Sequence, residues 1–478
     1  MKNSREIIAL SPIRFGTSGA RGLVTDLNAE VCFAYTLAFL HSIAPPPGSR
    51  VAVGMDLRPS SPAIAGVCVA AIRYAGFAED FCGIIPTPAL AFYAQEQNIP
   101  ALMITGSHIP FDRNGIKFYR PDGEITKQDE AAIGDANVTM PEVLPMAALP
   151  DANRAAYQGY IERYLQFFAP QQLAGMRLGL YEHSSVARDL LRELLEALGA
   201  EVLSIERTDQ FVPIDTEAVS AEDTAKARQW AEGFGFDAIL STDGDADRPL
   251  LGDQNGQWLR GDIVGILCAQ YVGAGAIATP VSSNTAVEKC GRFTVKRTRI
   301  GSPYVIEGMQ ELIGQGYDSV VGFEANGGFL VATALEKEGC RLQPLPTRDA
   351  VLPMLALLAM ARERRVKLSE LPGSLPGRFT ASDRLPAFAA EKSRHLLHTL
   401  ATSDAAVRDL LGDLCGQAAE TDQTDGLRIS FENEEIVHLR ASGNAPELRC
   451  YAEAGTQARA EEIVRACLAR VRDRADTE

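Results

Sequence analysis

The 478-residue sequence has no apolar stretch long enough to cross a bilayer and no C-x-x-C pair. Its longest apolar run, Ala350–Ala361, spans about twelve residues with an internal proline, which is typical of a buried helix. The nine cysteines are scattered and odd in number, which excludes a disulfide framework and a zinc site and predicts reduced thiols. The net charge of −16 disfavours nucleic acid and anionic membranes as partners.

Several familiar signatures are also missing. No G-x-x-x-x-G-K-[ST] or G-x-G-x-x-G is present, so nothing in the motifs indicates a nucleotide or dinucleotide site. A hydrolase nucleophile elbow reads G-x-S-x-G, whereas the segment around Ser107 reads T-G-S-H-I. The N-terminal segment, interrupted by Arg5 and Glu6, lacks the apolar core of a signal peptide. We therefore expect a cytoplasmic protein.

Strand and helix signals alternate over most of the chain. Apolar runs such as RVAVGMD and PALMITG are separated by the helix-like segments SPAIAGVCVAAIRYAG and PTPALAFYAQEQ. This alternation predicts βαβ units with parallel strands, and it restarts twice further along the chain. The end differs, because GLRISFENEEIVHLRASGNAPELRCYAEA reads as antiparallel strands before an amphipathic helix. A chain of this length predicts three or four domains.

An acidic loop follows the strand-like run DAILST. Asp243, Asp245 and Asp247 alternate with small residues, so their carboxylates can converge on one hard cation. An EF-hand would need Gly and Glu at the sixth and twelfth loop positions, where Arg248 and Gln254 stand. Mg²⁺ is favoured where few carboxylates and a phosphate share the metal. The alternative is a solvated acidic turn.

Two other strand ends carry polar groups. Ser107 and His108 follow the run ALMIT, with Lys117 in the next strand-like run. Taken alone, a Ser-His pair at a strand end is more often a turn cap than a nucleophile. Glu324 ends a strand in the Gly-rich segment GFEANGGF, which suits close approach to a polar ligand but also fits a plain turn.

A fourth loop, LRASGNAPELR, combines guanidinium groups, a hydroxyl and glycine-rich backbone. Such groups are what a phosphate dianion needs, although an arginine-flanked surface turn has the same composition. The candidate phosphate ligands are Arg440, Ser442, Gly443, Asn444 and Arg449.

Together and in this order, the segments resemble the α-D-phosphohexomutase family. The similarity covers nearly the whole chain and rests on RFGTSGARG, GMDLRPSS, PTPAL, TGSHIP, NGIKFY, DGDADR, TRIGSPYV, GFEANGG and RASGNAPELR. It implies an α/β fold of four domains, three with mixed sheets and a C-terminal α+β domain, around a central cleft. The domains are expected at residues 1–155, 156–262, 263–375 and 376–478.

The resemblance also implies a reaction. It is a reversible phosphoryl transfer between O6 and O1 of a hexose phosphate, through a phosphoserine at Ser107 and a hexose 1,6-bisphosphate that also serves as activator. One Mg²⁺ per site would be held by Ser107, once phosphorylated, and by the three aspartates. The residues matching those around the reacting phosphoryl group are Arg21, His108, Lys117 and Arg248.

The same resemblance assigns substrate contacts. Glu324 matches the contact to the sugar hydroxyls, and the fourth loop matches the one that grips the non-reacting phosphate. Further substrate contacts are expected at Gly301, Ser302 and Asn326. We expect small sugar phosphates as partners, no nucleic acid or membrane, and a monomer or homodimer.

Three departures from the family pattern concern the site. Ile109 stands where an Asn usually precedes the proline, Gly328 replaces a His of the sugar loop, and Ala445 replaces a Glu. The first puts the geometry of the serine loop in question, and the second requires that a ligand contact or proton relay come from elsewhere. The pair GFEANGG and SGNAPE resembles a subgroup pattern of the family, and this resemblance implies mannose phosphates as substrates, with glucose phosphates accepted. The alternatives are a phosphoglucosamine mutase, a sugar-phosphate phosphatase or a non-catalytic sugar-phosphate-binding protein.

Overall fold

The computed structural model describes residues 2–16, 19–442 and 447–475. The chain divides into two compact units. Unit 1 comprises Met1–Ile277 and Gly301–Leu371, and unit 2 comprises Ala278–Ile300 and Pro372–Glu478. Within the described ranges, no helix combines the length and apolar character that a membrane span requires.

Unit 1 begins with a seven-stranded mixed sheet of order β1-β2-β6-β5-β3-β4, with β7 paired to β6. Its elements are α1 (Ser4–Leu10), β1 (Arg14–Phe15), β2 (Ala20–Leu23), α2 (Ala29–Ile43), β3 (Arg50–Met55), α3 (Ser61–Tyr74), β4 (Ala78–Ile84), α4 (Thr87–Gln97), β5 (Ala101–Ile104), β6 (Arg113–Arg120), β7 (Gly123–Glu124) and α5 (Lys127–Asp135). The predicted parallel part, β4-β3-β5, is confirmed. Strands β6, β2 and β1 extend it in antiparallel fashion.

Strands β3 and β5 show why the sequence reads as unbroken apolar runs here. Every residue of β5 is buried, as is every residue of β3 after Arg50. A strand covered on both faces needs no polar alternation, so only its length and its flanking turns distinguish it from a helix.

The second sheet has four strands in the order β11-β10-β8-β9. Helix α6 (Ala155–Phe167) precedes β8 (Arg177–Tyr181), α7 (Arg188–Ala197), β9 (Glu201–Ile205), α8 (Ala221–Phe234), β10 (Ala238–Thr242) and β11 (Pro249–Asp253). Strands β8, β9 and β10 are parallel, and β11 folds back on β10. The acidic loop is the connection between β10 and β11, as the sequence predicted.

A third group of elements completes unit 1 and starts unit 2. It comprises α9 (Gly261–Tyr271), β12 (Ala276–Pro280), α10 (Ala286–Lys289), β13 (Thr294–Thr298), α11 (Ser302–Gly314), β14 (Val320–Phe323), β15 (Phe329–Val331), β16 (Leu335–Lys337), β17 (Cys340–Leu342), β18 (Leu345–Asp349) and α12 (Val351–Arg364). In unit 1, β15 lies between β14 and β18 and pairs with both, and β16 and β17 form a separate hairpin. The predicted buried helix is α12, whose residues from Val351 to Ala361 are all buried.

Unit 2 carries the antiparallel sheet predicted for the end of the chain, in the order β19-β23-β22-β21-β20. After a 3-10 helix at Leu368–Ser374 come β19 (Phe379–Leu385), α13 (Ala390–Thr402), α14 (Asp404–Cys415), β20 (Ala418–Asp422), β21 (Leu427–Phe431), β22 (Ile436–Ala441), β23 (Leu448–Ala454) and α15 (Gln457–Ala475). The expected α/β fold with an α+β tail is confirmed.

Three strands of unit 1 position the candidate site. The serine loop follows β5, the acidic loop follows β10 and the glutamate loop follows β14, each in a different sheet. Polar loops at the carboxyl ends of strands are the usual location of ligand sites in α/β proteins.

Candidate functional site

Ser107 occupies a strained turn at the end of β5. Its φ of +54° lies in the left-handed region, which costs a residue other than glycine on the order of 1–3 kcal/mol. The Ser107 hydroxyl donates a 2.5 Å hydrogen bond to Asp243 Oδ2, and its oxygen lies 3.3 Å from Nδ1 of His108. The turn therefore directs the serine side chain at the acidic loop.

A buried arginine holds this turn in place. The Arg58 guanidinium donates to the carbonyl oxygens of Ser107, Ile109, Pro110 and Arg113 at 2.5 to 2.9 Å. A Cβ at Gly106 would lie 2.6 Å from Arg58 Cζ, so glycine is needed there for the guanidinium to pass. Since Ile109 contributes its carbonyl oxygen, this anchoring of the turn does not depend on an asparagine side chain at that position.

The acidic loop brings three buried carboxylates together. Oxygens of Asp243, Asp245 and Asp247 all lie within 4.8 Å of one another. The ammonium group of Lys117 donates to Oδ2 of Asp245 at 2.6 Å and to Oδ2 of Asp247 at 2.7 Å. The buried Oδ1 atoms of Asp245 and Asp247 have no hydrogen-bond partner in the described part of the chain. An all-oxygen donor set with two unsatisfied oxygens fits a hard divalent cation.

The electrostatics of the loop agree with a cation site. Burial, together with the carboxylates of Asp245 and Asp247, raises the pKa of Asp243 well above its ordinary value. Burial alone would also raise the pKa of Asp247, but Arg348 and Lys117 hold it well below its ordinary value. A divalent cation would offset the remaining repulsion between the carboxylates.

Two further predicted residues join this cluster. The backbone N–H of Arg248 donates to Asp243 Oδ1 at 3.2 Å, and its Nε lies 3.6 Å from Asp247 Oδ1. Burial lowers the pKa of Arg21, on β2, to about 10, although nearby Asp245 opposes the shift. Both side chains remain cations at neutral pH and stand beside the serine and acidic loops.

His108 is neutral in this environment. The positive charge of Arg248, followed by burial of the ring, lowers the pKa of His108 to about 2. A pKa this low leaves the imidazole uncharged beside the Ser107 hydroxyl and makes it a weak base.

Arg348 belongs to the site, although the sequence did not single it out. It lies on β18 with 2% of its surface exposed, and its guanidinium donates to Asp247 Oδ2 at 2.9 and 3.1 Å. A third bond of 3.0 Å reaches Oε2 of Glu324. Arg348 thus links the acidic loop to the glutamate loop. The available signal was a lone arginine in the otherwise buried strand LPTRD.

Gly328 makes room for this link. A Cβ at Gly328 would lie 2.6 Å from Arg348 Cδ and 2.8 Å from its Cγ. The family histidine expected at this position would therefore collide with the arginine stem. In this chain Gly328 leaves room for Arg348, and the Arg348 guanidinium supplies the cation next to Glu324.

Of the other predicted substrate contacts of unit 1, Asn326 belongs to the glutamate loop, and Gly301 and Ser302 lie at the start of α11. Asn326 uses its Oδ1 to accept the backbone N–H of Gly328 at 2.9 Å, which closes the glutamate loop. Gly301, with φ +131°, precedes α11. The Ser302 hydroxyl donates to Glu124 Oε2 at 2.9 Å.

The predicted phosphate ligands lie in unit 2. Arg440 on β22 is the cross-strand partner of Arg449 on β23, so both side chains project from the same face. Arg440 Nε donates to Asp425 at 2.9 Å, and Arg449 Nη2 donates to Glu447 at 2.9 Å. The Ser442 N–H donates to the Glu447 carbonyl. Gly443, Asn444 and Ala445 lie outside the described residues.

Four protein-family models match the chain in sequence order. The models for phosphoglucomutase/phosphomannomutase alpha/beta/alpha domains I, II and III match residues 12–139, 156–256 and 260–379. The model for the C-terminal domain of the same family matches residues 394–469. The matches cover most of the chain and include the serine, acidic and glutamate loops.

Individual relatives belong to the same family as these models. A phosphomannomutase of Salmonella muenchen is 46% identical, over 99% of this chain and 98% of its own. A phosphomannomutase of Sinorhizobium fredii is also 46% identical, over 94% of this chain and 97% of its own. A solved structure of a putative phosphomannomutase from Thermus thermophilus superposes with a TM-score of 0.76 at 23% identity, covering 97% of this chain and 99% of that one. The structural likeness shows the shared fold.

Replacing Arg348 by Met should destabilise unit 1 by about 3–5 kcal/mol, because Asp247 and Glu324 lose a buried cationic partner. Added Mg²⁺ should restore part of this loss, since a cation near the acidic loop replaces the missing charge. Guanidinium unfolding followed by tryptophan fluorescence measures the effect, as both tryptophans, Trp230 and Trp258, lie in unit 1.

Arg341→Met is the matched control, because Arg341 is an exposed arginine on the neighbouring hairpin. It should change the free energy of unfolding by less than about 0.5 kcal/mol. Equal stability of the Arg348 and Arg341 variants would contradict the role assigned to Arg348.

Proposed function

We propose a substrate for this chain, which belongs to the phosphoglucomutase/phosphomannomutase family and is a phosphohexomutase. It interconverts mannose 6-phosphate and mannose 1-phosphate and also accepts glucose phosphates. One observation supports the proposal above the others. The Ser107 hydroxyl lies on the acidic triad, 2.5 Å from Asp243, with Lys117 bound to the other two aspartates. A nucleophile, a cation site and fixed cations at one point suit phosphoryl transfer.

In the proposed first half-reaction, Ser107 is phosphorylated and a hydroxyl of the hexose phosphate attacks its phosphorus. The bond between phosphorus and Ser107 Oγ breaks as a bond to the sugar oxygen forms. The proton of the attacking hydroxyl passes to Ser107 Oγ as the bond to phosphorus breaks, and His108, whose Nδ1 lies 3.3 Å from Oγ, is positioned to relay it. The hexose 1,6-bisphosphate then reorients, and the second phosphoryl group returns to Ser107 by the reverse steps.

Fixed cations would carry the charge of the transferred group. Lys117, Arg21 and Arg248 stand beside Ser107 and the acidic loop, so their charges are in place before the reaction and need no reorganisation during it. Phosphoryl transfer depends mainly on such positioning and charge neutralisation.

We assign one Mg²⁺ to the acidic triad. Asp243, Asp245 and Asp247 would hold it together with an oxygen of phosphorylated Ser107, as the two unsatisfied Oδ1 atoms of the loop suggest. When bound, the ion supplies Lewis acidity toward phosphoryl oxygens.

Substrate recognition must tolerate two orientations, because the bisphosphate presents each end to Ser107 in turn. We propose that Glu324 contacts the sugar hydroxyls, with Asn326, Gly301 and Ser302 completing that side. Arg440, Ser442, Gly443, Asn444 and Arg449 would grip the non-reacting phosphate. A charged hydrogen bond to phosphate contributes roughly 1.5–3 kcal/mol, which is enough to bind either isomer by its phosphate.

We further propose that the enzyme works in the cytoplasm as a monomer or homodimer. All nine cysteines are free thiols, and seven of them are buried, which fits a reducing compartment.

Replacing Ser107 by Ala should remove turnover, because no oxygen remains to carry the phosphoryl group. After incubation with glucose 1,6-bisphosphate, intact mass should show one phosphoryl group on the parent enzyme and none on the variant. Isomer formation and release of inorganic phosphate should be followed together, since a phosphatase would give only the latter. Ser49→Ala is the control, a serine whose hydroxyl bonds only a turn carbonyl. Variant turnover within about tenfold of the parent, 1.4 kcal/mol of barrier, would contradict the assignment.

Replacing Asp245 by Asn should raise the Mg²⁺ concentration for half-maximal activity by about 10- to 100-fold, since a charged ligand is lost. Asp253→Asn is matched to it, because Asp253 is a buried carboxylate of the next strand whose acceptor contacts, among the described residues, come from the turn that follows. Its metal dependence should equal that of the parent. Full activity of the parent in excess chelator would show that no divalent metal takes part.

Comparing kcat/KM for mannose, glucose and glucosamine 1-phosphates, each with its bisphosphate, tests the substrate. Mannose and glucose differ only at C2, and one hydrogen bond changes affinity by about 1 kcal/mol, so the two values should lie within about tenfold. Mannose 1-phosphate should give the highest value. A preference for glucosamine 1-phosphate above tenfold would replace our proposal with a phosphoglucosamine mutase.

A further inference from the structure

A cavity of about 370 Å³ lies in unit 1 between helices α4 and α6 and the hairpin of β17, and we call it the α4–α6 cavity. Its lining includes Phe92, Tyr93, Gln97, Arg163, Arg341 and Gln343. None of these residues belongs to the serine, acidic or glutamate loop. The volume falls in the range of about 300–1,000 Å³ that small-molecule sites occupy.

Arg163 is the lining residue that indicates what this cavity could bind. Only 6% of its surface is exposed, yet none of its three guanidinium nitrogens has a hydrogen-bond partner in the described part of the chain. The guanidinium lies 4.9 Å from the ring centroid of Phe92 and 5.6 Å from that of Tyr164. Aromatic faces attract a cation but accept no strong hydrogen bond, so the donors of Arg163 remain unsatisfied.

The surrounding acids do not supply the missing partner. Glu96 and Glu162 also line the cavity, but both are exposed. Among the described residues, no carboxylate forms an ion pair with Arg163 at 4.0 Å or less. A buried cation without an acceptor costs the folded protein several kcal/mol, which a ligand that brings an anionic group would recover.

We propose that the α4–α6 cavity binds a small organic anion through a phosphate or carboxylate group held by Arg163. A guanidinium carries paired N–H donors that match either oxyanion in bidentate geometry. Arg341 and the amides of Gln97 and Gln343 line the same space and offer further donors, and Phe92 provides an apolar surface for the rest of the molecule.

The cavity lies between two helices that also contact the candidate site. At the start of α4, Thr87 Oγ1 donates to Asp245 Oδ2 at 2.6 Å. From α6, the hydroxyls of Tyr160 and Tyr164 both donate to Asp349, the neighbour of Arg348. A ligand on Arg163 therefore binds where the supports of the acidic loop and of Arg348 meet.

Thermal unfolding of the full chain tests the proposal, with inorganic phosphate and succinate as separate probes at constant ionic strength. The parent protein should show a saturable rise in Tm with at least one probe. The rise in Tm with the probe should be smaller for Arg163→Met than for the parent protein. Without the probe, the Tm of this variant should equal or exceed that of the parent, because the substitution removes an unpaired buried charge. Phosphate that binds the catalytic site affects both proteins alike, so the difference isolates the cavity.

Arg154→Met is the matched control. Arg154 lies at the start of the same helix, with its guanidinium 4.8 Å from the Tyr157 ring, but it is exposed and outside the cavity. This variant should keep the full response. A response to phosphate alone or to succinate alone supports the proposal and identifies the anionic group.

Equal responses of the parent and Arg163→Met proteins, or no response to either probe, would overturn the proposal. If Arg163→Met fails to fold, crystals of the parent protein grown for this purpose and soaked in each probe decide. An anion within hydrogen-bond distance of the Arg163 guanidinium supports the site, and density for water alone there refutes it.

Discussion

The site depends on one electrostatic constraint, which is that three buried carboxylates lie within 4.8 Å of one another. Such a cluster is unstable unless cations are brought to it, because burial and mutual repulsion both disfavour the charged form. Lys117 on β6 and Arg348 on β18 supply charge from two different sheets, and Arg248 supplies it from the acidic loop itself. The packing of unit 1 therefore depends on this cluster, because β6, β18 and the acidic loop must meet at the carboxylates.

The serine and glutamate loops share a second feature. In each, a glycine lets a buried arginine pass close to the backbone: Gly106 beside Arg58, and Gly328 beside Arg348. Arg58 holds the strained serine turn through carbonyl oxygens, and Arg348 fixes Glu324. These pairs account for two departures from the family pattern. The serine turn is anchored through its main chain, and Gly328 stands where a histidine side chain would collide with Arg348.

The same reasoning distinguishes satisfied from unsatisfied buried charges. Arg58 and Arg348 each make several hydrogen bonds to oxygens, whereas Arg163 makes none among the described residues. Buried arginines are usually paired, so a lone one beside a cavity indicates a place for a ligand. Two of these three arginines hold the serine and glutamate loops of unit 1, and the third lines the α4–α6 cavity.

The sequence alone determined the alternation of strands and helices, the antiparallel end of the chain and the loops that carry Ser107, Asp243 and Glu324, because hydrophobic period and loop composition are local properties. It did not reveal Arg348 or Arg163 as residues of a site. Arg348 meets Asp247 across 101 positions of the chain, and Arg163 differs from an ordinary helix arginine only by what surrounds it. Whether a buried charge has a partner depends on contacts between segments far apart in the chain, and only the tertiary structure decides those.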